Sequence, residues 1–475
     1  MSISSLMFLI IFIPLIGSIF VLSTKDNMRE TFKNTEQVAL LTVFVDILLL
    51  LTLFSATDIA SHNIQHKLEL SWGFFSTFKF SFGIDVQSLM FLLGIQISAF
   101  VGILGIRKNK QTPKSVLFYT LLYLFCLNGY FTAQDVLSLY IFYTSSLFPL
   151  YMLIGLTLDM RQHKMLLRLA LHHFLGSILF FASVILIIDS NEQNILINAL
   201  DTLKLSKNEA IWIWASLFSA FILRMPVWPF HHAITSVSVS LKNPLAFIAL
   251  HIMPISGIYG VMRCWPLNIP IEIEMFSPIL QMLCLLTMIF TSAGGYIYSN
   301  TPQKLYNYVL VYDLSYLLAV FLPTDIIATN ITYSVFSFLL ISSSLIVLQA
   351  HILEQSVRSN TSIKGILRFM PKASVSYFLF TMAAIGLPVS AFFWNNFMIV
   401  SEIFNFNLYS GTLVMLAMML AGIALLQSLY TLKNETTSID PDIKIKDIDA
   451  YTFCISLMLI CALLLSLLKP FWFVL

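Results

Sequence analysis

Charge is scarce in this sequence. Only 11% of its 475 residues are Asp, Glu, Lys or Arg, where soluble domains carry about 25%. Water therefore cannot be the solvent for most of its surface. A net charge of +2, with no large basic cluster, points away from nucleic acid. Cysteine is also rare: Cys126, Cys264, Cys284, Cys454 and Cys461 stand apart in or beside apolar runs, without a CxxC pair. That pattern favours neither a disulfide framework nor a metal site, and the five read as small buried apolar residues. No metal-ligand spacing, Gly-rich phosphate loop or nucleotide fingerprint occurs. Soluble redox chemistry is not in this chain, and it carries no cofactor of its own.

The N-terminal MSISSLMFLIIFIPLIGSIFVLS has no basic region ahead of its apolar stretch and lacks the Arg-rich character of a transit peptide. It reads as a first membrane helix, retained in the mature protein. Such a chain is made beside its membrane, in a bacterium or from an organelle genome, and 41 phenylalanines suit a T-rich organelle genome.

What is abundant is apolar sequence, 58% of the chain. A bilayer core about 30 Å thick needs roughly 20 apolar residues per helix. Runs of that kind lie near 3–23, 37–56, 85–106, 115–132, 135–157, 166–189, 210–226, 244–263, 277–298, 305–323, 332–352, 373–394, 410–432 and 450–473. The fold class expected is an all-α membrane protein of about 14 transmembrane helices in a single unit spanning 1–475. Most of the 26 lysines and arginines fall in loops after odd-numbered spans, among them Lys25, Arg29, Arg107, Lys108, Arg161, Arg358 and Lys446. Loops on the cytoplasmic or matrix side keep such residues, so both termini are expected on the opposite side.

Two spans are interrupted alike. The seventh runs WIWASLFSAFILRMP and continues as VWPFHHAITSVSVS; the twelfth runs YFLFTMAAIGLP and continues as VSAFFWNNFMIVSEIF. Proline removes a backbone donor and clashes with the preceding turn, so each helix should break there. Broken helices in corresponding positions of two halves point to inverted repeats and an ion path. The repeats would be spans 4–8 (110–263) and 9–13 (277–433), after helices 1–3 (1–109) and before a C-terminal helix (450–475). Two ordinary proline kinks are the plainer alternative.

Some charges stay inside spans, where Arg or Asp costs about 2.5–3.5 kcal/mol at the bilayer centre. Arg224 precedes the first break, Asp313 sits within YNYVLVYDLSYLLAV, and Asp46 lies in VFVDILLLL. Arg224 and Asp313 read equally as functional groups or as a structural ion pair; Asp46, alone in an apolar helix, reads as structural. Histidine can relay protons because its unperturbed pKa is about 6.5. The candidates are His172, His173, His231, His232 and His251, with His231 and His232 best placed beside the broken helix.

At LRMPVWPFHH the sequence resembles the K-M-P-L-Y-G-L-H segment of the chain 4 family of NADH:ubiquinone oxidoreductase, respiratory complex I. GIYGVMR (257–263) looks like that family's G-G-Y-G-x-M-R, and YIFYTSSLFP (140–149) like Y-I-F-F-E-x-T-L-I-P. FGIDVQSLMF, KLYNYVLVYDLSY, LEQSVRS, GLPVSAFFWNNF and LLQSLYTL extend the resemblance in order from 82 to 432. It implies an antiporter-like membrane-arm subunit, partnered by sister antiporter-like chains and membrane lipids in the mitochondrial inner membrane or, alternatively, a bacterial plasma membrane. NADH, FMN, iron–sulfur clusters and ubiquinone would belong to other subunits.

The family's central line of ionisable residues transfers badly. Its helix-five glutamate falls on Thr144, its helix-seven lysine on Arg224 and its helix-eight lysine on Ile255. Two histidines fall on Asp313 and Phe338, and the glutamate of the second broken helix on Asn396. A guanidinium is effectively always protonated, so Arg224 cannot exchange a proton as a lysine does. Thr144, Ser145 and Asn396 can hold water in a wire but cannot store a proton. The expectation is a scaffold whose own proton path is impaired or lost. The alternatives are a rewired path through Asp313, Arg224, His231, His232 and Glu402, with Arg224 holding Asp313, or a Mrp-type cation/proton antiporter.

Overall fold

The computed structural model describes residues 3–24, 31–58, 64–71, 79–106, 114–191, 196–197, 200, 206–264, 277–297, 300–322, 325–359, 362–388, 390–434, 445–449, 453, 456 and 459–460. The apolar runs become helices: α1 Ile3–Ser23, α2 Thr31–Ala56, α3 Val86–Ile106, α4 Lys114–Thr132, α5 Val136–Gly155 and α6 His163–Asn191. The seventh run is split into α7 Lys207–Leu223 and α8 His231–Ser240, followed by α9 Pro244–Cys264. Then come α10 Ser277–Ile297, α11 Thr301–Val320 and α12 Asp325–Arg358. The twelfth run is split in turn into α13 Pro371–Ile385 and α14 Ala391–Phe406, and α15 Leu408–Asn434 closes the described helices.

Ten helical stretches among the described residues are long and apolar enough to cross a membrane. The split runs fall short by length. α11 is not among the ten either, because its tyrosines and its buried Lys304, Asn307 and Asp313 lower its mean hydropathy. The expected C-terminal helix, with Cys454 and Cys461, lies outside the described residues apart from four isolated positions.

The expectation of an all-α fold needs one correction. Gln65–Ser71 and Lys79–Ile84 form β1 and β2, an antiparallel pair with Leu68 opposite Phe82 and Leu70 opposite Phe80. Alternating side chains over so few residues suit a half-buried pair, and Phe82 turns into the core. The pair is tied to the start of α5. Asp135, the N-cap, accepts from Ser138 N (2.7 Å) and from Ser81 N (2.8 Å), so one carboxylate serves both elements.

At the centre lie α9, α11, α3 and most of α12. Every residue of α9 is buried except Arg263. α1, α2, α6 and α10 bury only part of their surface and turn Phe44, Leu48, Leu171, Phe174 and Ile289 outward. Outside a membrane such apolar faces would be costly; in lipid they are the expected solvent contact.

Candidate functional site

The first break is held by its own turns and one neighbour. Phe230 N donates to Val227 O (2.8 Å), and Trp228 N donates to Thr287 Oγ1 of α10 (2.9 Å). Backbone groups released at membrane depth must find such partners. The second break uses a different device. Gly386, at φ 90°, ends α13 with Leu387 N donating to Met382 O, and Ser390 caps α14. That φ lies in the left-handed region, which glycine enters without a Cβ clash.

Arg224 sits at the C-terminus of α7, where the first break begins, and only 1% of it is exposed. Its guanidinium donates to Ser256 Oγ of α9 (2.9 Å), Ser146 Oγ of α5 (2.9 Å) and the carbonyl of Tyr143. It also lies 3.5 Å from the centre of the Tyr143 ring. Hydrogen bonds to charged groups contribute about 1.5–3 kcal/mol each, so three of them offset an insertion cost of about 2.5–3.5 kcal/mol. Two glycines allow α9 this close. A Cβ at Gly257 would stand 2.9 Å from Phe221 O, and one at Gly260 would stand 2.4 Å from the Phe221 ring.

Thr144 does not face this cation. It is half-buried, and its hydroxyl donates back to Tyr140 O (2.9 Å) and Ile141 O (3.0 Å) of its own helix. Tyr143 and Ser146 carry the contacts from α5 instead. Arg224 does not hold Asp313 either, and that expected pairing is corrected: the guanidinium's partners come from α5 and α9.

Asp313, fully buried in α11, has His251 of α9 beside it, with Nδ1 3.9 Å from Oδ2. His251 Nε2 is 2.8 Å from Ser342 Oγ of α12, and Ser342 Oγ donates to Phe338 O (2.7 Å). Neither carboxylate oxygen of Asp313 has a hydrogen-bond partner among the described residues. Of the five candidate histidines, His251 is thus the one placed against a buried acid.

Ile255 follows His251 by one turn on α9 and is fully buried in the hydrophobic core. Phe338 is fully buried too, with ring contacts to His251 (5.2 Å), Tyr312 (5.5 Å), Tyr316 (5.7 Å) and Phe392 (6.1 Å). Asn396 donates to Phe392 O of its own helix (2.7 Å). His231 is half-buried in the first turn of α8, and the exposed His232 is 3.0 Å from Ser236 Oγ. His172 packs on the Phe230 ring (5.0 Å), His173 bonds Tyr151, and Glu402 is half-buried on α14. None of these hydrogen bonds or ring contacts reaches Arg224 or Asp313.

The contact between Asp85 and Arg263 went unread in the sequence. Asp85, which starts α3, forms a salt bridge to Arg263 (2.6 Å), whose Nε donates to Tyr259 Oη (2.8 Å). An Asp immediately before an apolar run is an N-cap signal, so Asp85 could have been found that way. Asp46, which looked alone, is gripped by Gln96 and Asn128.

Apolar spans, two of them interrupted and one with the buried Arg224 at its break, define a multi-pass α-helical membrane protein. Residues 133–424 match the family model described as NADH:quinone oxidoreductase/Mrp antiporter, TM, and the chain belongs to that family. It is 23% identical over 427 residues to NADH-quinone oxidoreductase subunit M of Rickettsia typhi, covering 88% of this chain and 86% of that one. It is 26% identical over 362 residues to NADH-ubiquinone oxidoreductase chain 4 of Acanthamoeba castellanii, covering 74% and 71%. Its fold resembles a chain of respiratory complex I from Thermus thermophilus, with a TM-score of 0.84 at 20% identity over 97% of this chain and 94% of that one.

Proposed function

We propose that this chain is an antiporter-like membrane-arm subunit of a proton-translocating NADH:quinone oxidoreductase, connecting neighbouring membrane subunits while its own proton path is interrupted. Membership is supported by the family and by relatives named as subunit M and chain 4 of that enzyme. Redox chemistry and its cofactors (NADH, FMN, iron–sulfur clusters and ubiquinone) would reside on other subunits. Fourteen spans, with 110–263 and 277–433 as inverted repeats, fit the two interrupted helices. The bias of Lys and Arg supports both termini on the intermembrane-space side of a mitochondrial inner membrane.

The observation that carries the interruption is the pair Ile255 and Phe338. Both are fully buried where the family resemblance expects ionisable stations. A proton wire needs donors and acceptors spaced at hydrogen-bond distance, and neither side chain offers one. Protons moved per NADH oxidised by the purified complex in liposomes test this reading. The expected ratio is below that of complexes with every station intact; an equal ratio would sink the proposal. Co-purification with redox subunits separates it from a Mrp-type antiporter, which would bring only other antiporter subunits.

One observation favours a second reading. His251 lies between Asp313 and Ser342, so a displaced path could run one turn away from Ile255. On that reading Asp313→Asn lowers the proton ratio while leaving assembly intact; on the first reading the ratio does not move.

A further inference from the structure

Asp46 lies mid-way along α2, fully buried, and its hydrogen bonds come from two amides. Gln96 Nε2 of α3 donates to Asp46 Oδ2 (2.7 Å) and to Asn128 Oδ1 (2.9 Å). Asn128 Nδ2 of α4 donates to the same Oδ2 (2.8 Å) and to the Ile10 carbonyl of α1 (2.8 Å). Each primary amide has two N–H donors, and here all four are committed. Two oxygens are left over, Asp46 Oδ1 and Gln96 Oε1, both buried and without a donor among the described residues. No salt bridge among the described residues reaches Asp46.

An ionised carboxylate in this position would be an uncompensated charge at membrane depth, among the most costly arrangements a protein can hold. It would also leave Gln96 Oε1 bare. The network is one donor short, and a hydrogen on the carboxyl would supply it. We propose that Asp46 is a proton-binding site, its carboxyl carrying the proton on Oδ1 and donating to Gln96 Oε1. Four helices, α1 to α4, then meet on a neutral and closed network. The site is separate from Arg224 and from the Asp313–His251 pair, and it stands whichever reading of the proton path is correct.

Asparagine is the natural probe, because its carbonyl can accept the two amide bonds while its NH2 donates as the acid would. The test introduces Asp46→Asn and Asp46→Leu into the chain within its intact membrane complex. Asp46→Asn should leave assembly and the thermal transition unchanged, whereas Asp46→Leu, which strips the acceptor from two buried amides, should lower both. Infrared spectra of the unaltered complex should contain a protonated-carboxyl carbonyl band that disappears in Asp46→Asn. Two outcomes overturn the proposal. One is the absence of that band, which would leave Asp46 ionised. The other is a thermal transition raised by sodium or potassium over choline and insensitive to them in Asp46→Asn, which would make the site one for a metal cation.

Discussion

His251 stands between Asp313 and Ser342, its Nδ1 3.9 Å from one and its Nε2 2.8 Å from the other. One imidazole therefore joins α9, α11 and α12 at the centre of the bundle. Leaving a buried polar group without its partner costs about 1–3 kcal/mol. His251→Leu should therefore destabilise the complex by that order, and the double variant His251→Leu/Asp313→Leu should recover part of the loss. Thermal denaturation of the purified complex reads both. With the path interrupted at Ile255 and Phe338, Asp313→Asn should leave the proton ratio unchanged.

Arg224 separates the loss of charge from the loss of volume. Its partners Ser146 and Ser256 already donate to carbonyls of their own helices, at 2.7 and 2.6 Å. An apolar side chain of similar size therefore strands neither hydroxyl. Arg224→Met should stay within about 1 kcal/mol of the unaltered chain, since apolar replacement of a buried charge is often neutral. Arg224→Ala opens a cavity and should cost about 2–5 kcal/mol. Equal losses in the two thermal transitions would show that the charge itself holds α5, α7 and α9 together.

Gly260 sets the approach of α9 to α7. A Cβ there would meet the Phe221 ring at 2.4 Å and Tyr130 Oη at 2.6 Å. Gly260→Ala should cost about 1–3 kcal/mol through overpacking, whereas alanine ordinarily stabilises a helix interior relative to glycine. The level of assembled complex in membranes reads the sign. An increase would show that α7 yields at this contact.

Asp135 couples the strand pair to α5, accepting from Ser138 N and Ser81 N and from the hydroxyls of both residues. Asp135→Ala should cost about 0.5–2 kcal/mol for the lost cap. It should also raise protease cleavage within 64–84, because β1 and β2 lose their tether. Unchanged cleavage would place the tether instead in the bond from Gln134 N to Ser81 O (2.9 Å).

Much of the fold was legible in the sequence because its causes are local. Pro226, Pro229 and Pro388 fall where polar or small residues interrupt an apolar run, so both breaks were readable, whereas Pro14, Pro149 and Pro254 lie inside helices that continue through them. A charge within an apolar run announces burial, so Arg224, Asp313 and Asp46 stood out. The strand pair was overlooked because a few alternating residues carry little signal beside twenty-residue apolar runs. Thr144 marked the place of a missing acid, yet its neighbours face the cation. Residues three apart share a helix face and adjacent ones do not, so Tyr143 and Ser146 reach Arg224 while Thr144 turns aside.

By itself, the sequence determined the solvent, the described helices, their interruptions and the family, because each follows from composition or short-range spacing. Tertiary structure alone decided partnership. Which buried charge meets which group depends on how distant helices cross and rotate, and no local periodicity encodes that. It paired Asp313 with His251 rather than Arg224, gave Arg224 hydroxyls and an aromatic face in place of an anion, and gathered Gln96 and Asn128 around Asp46.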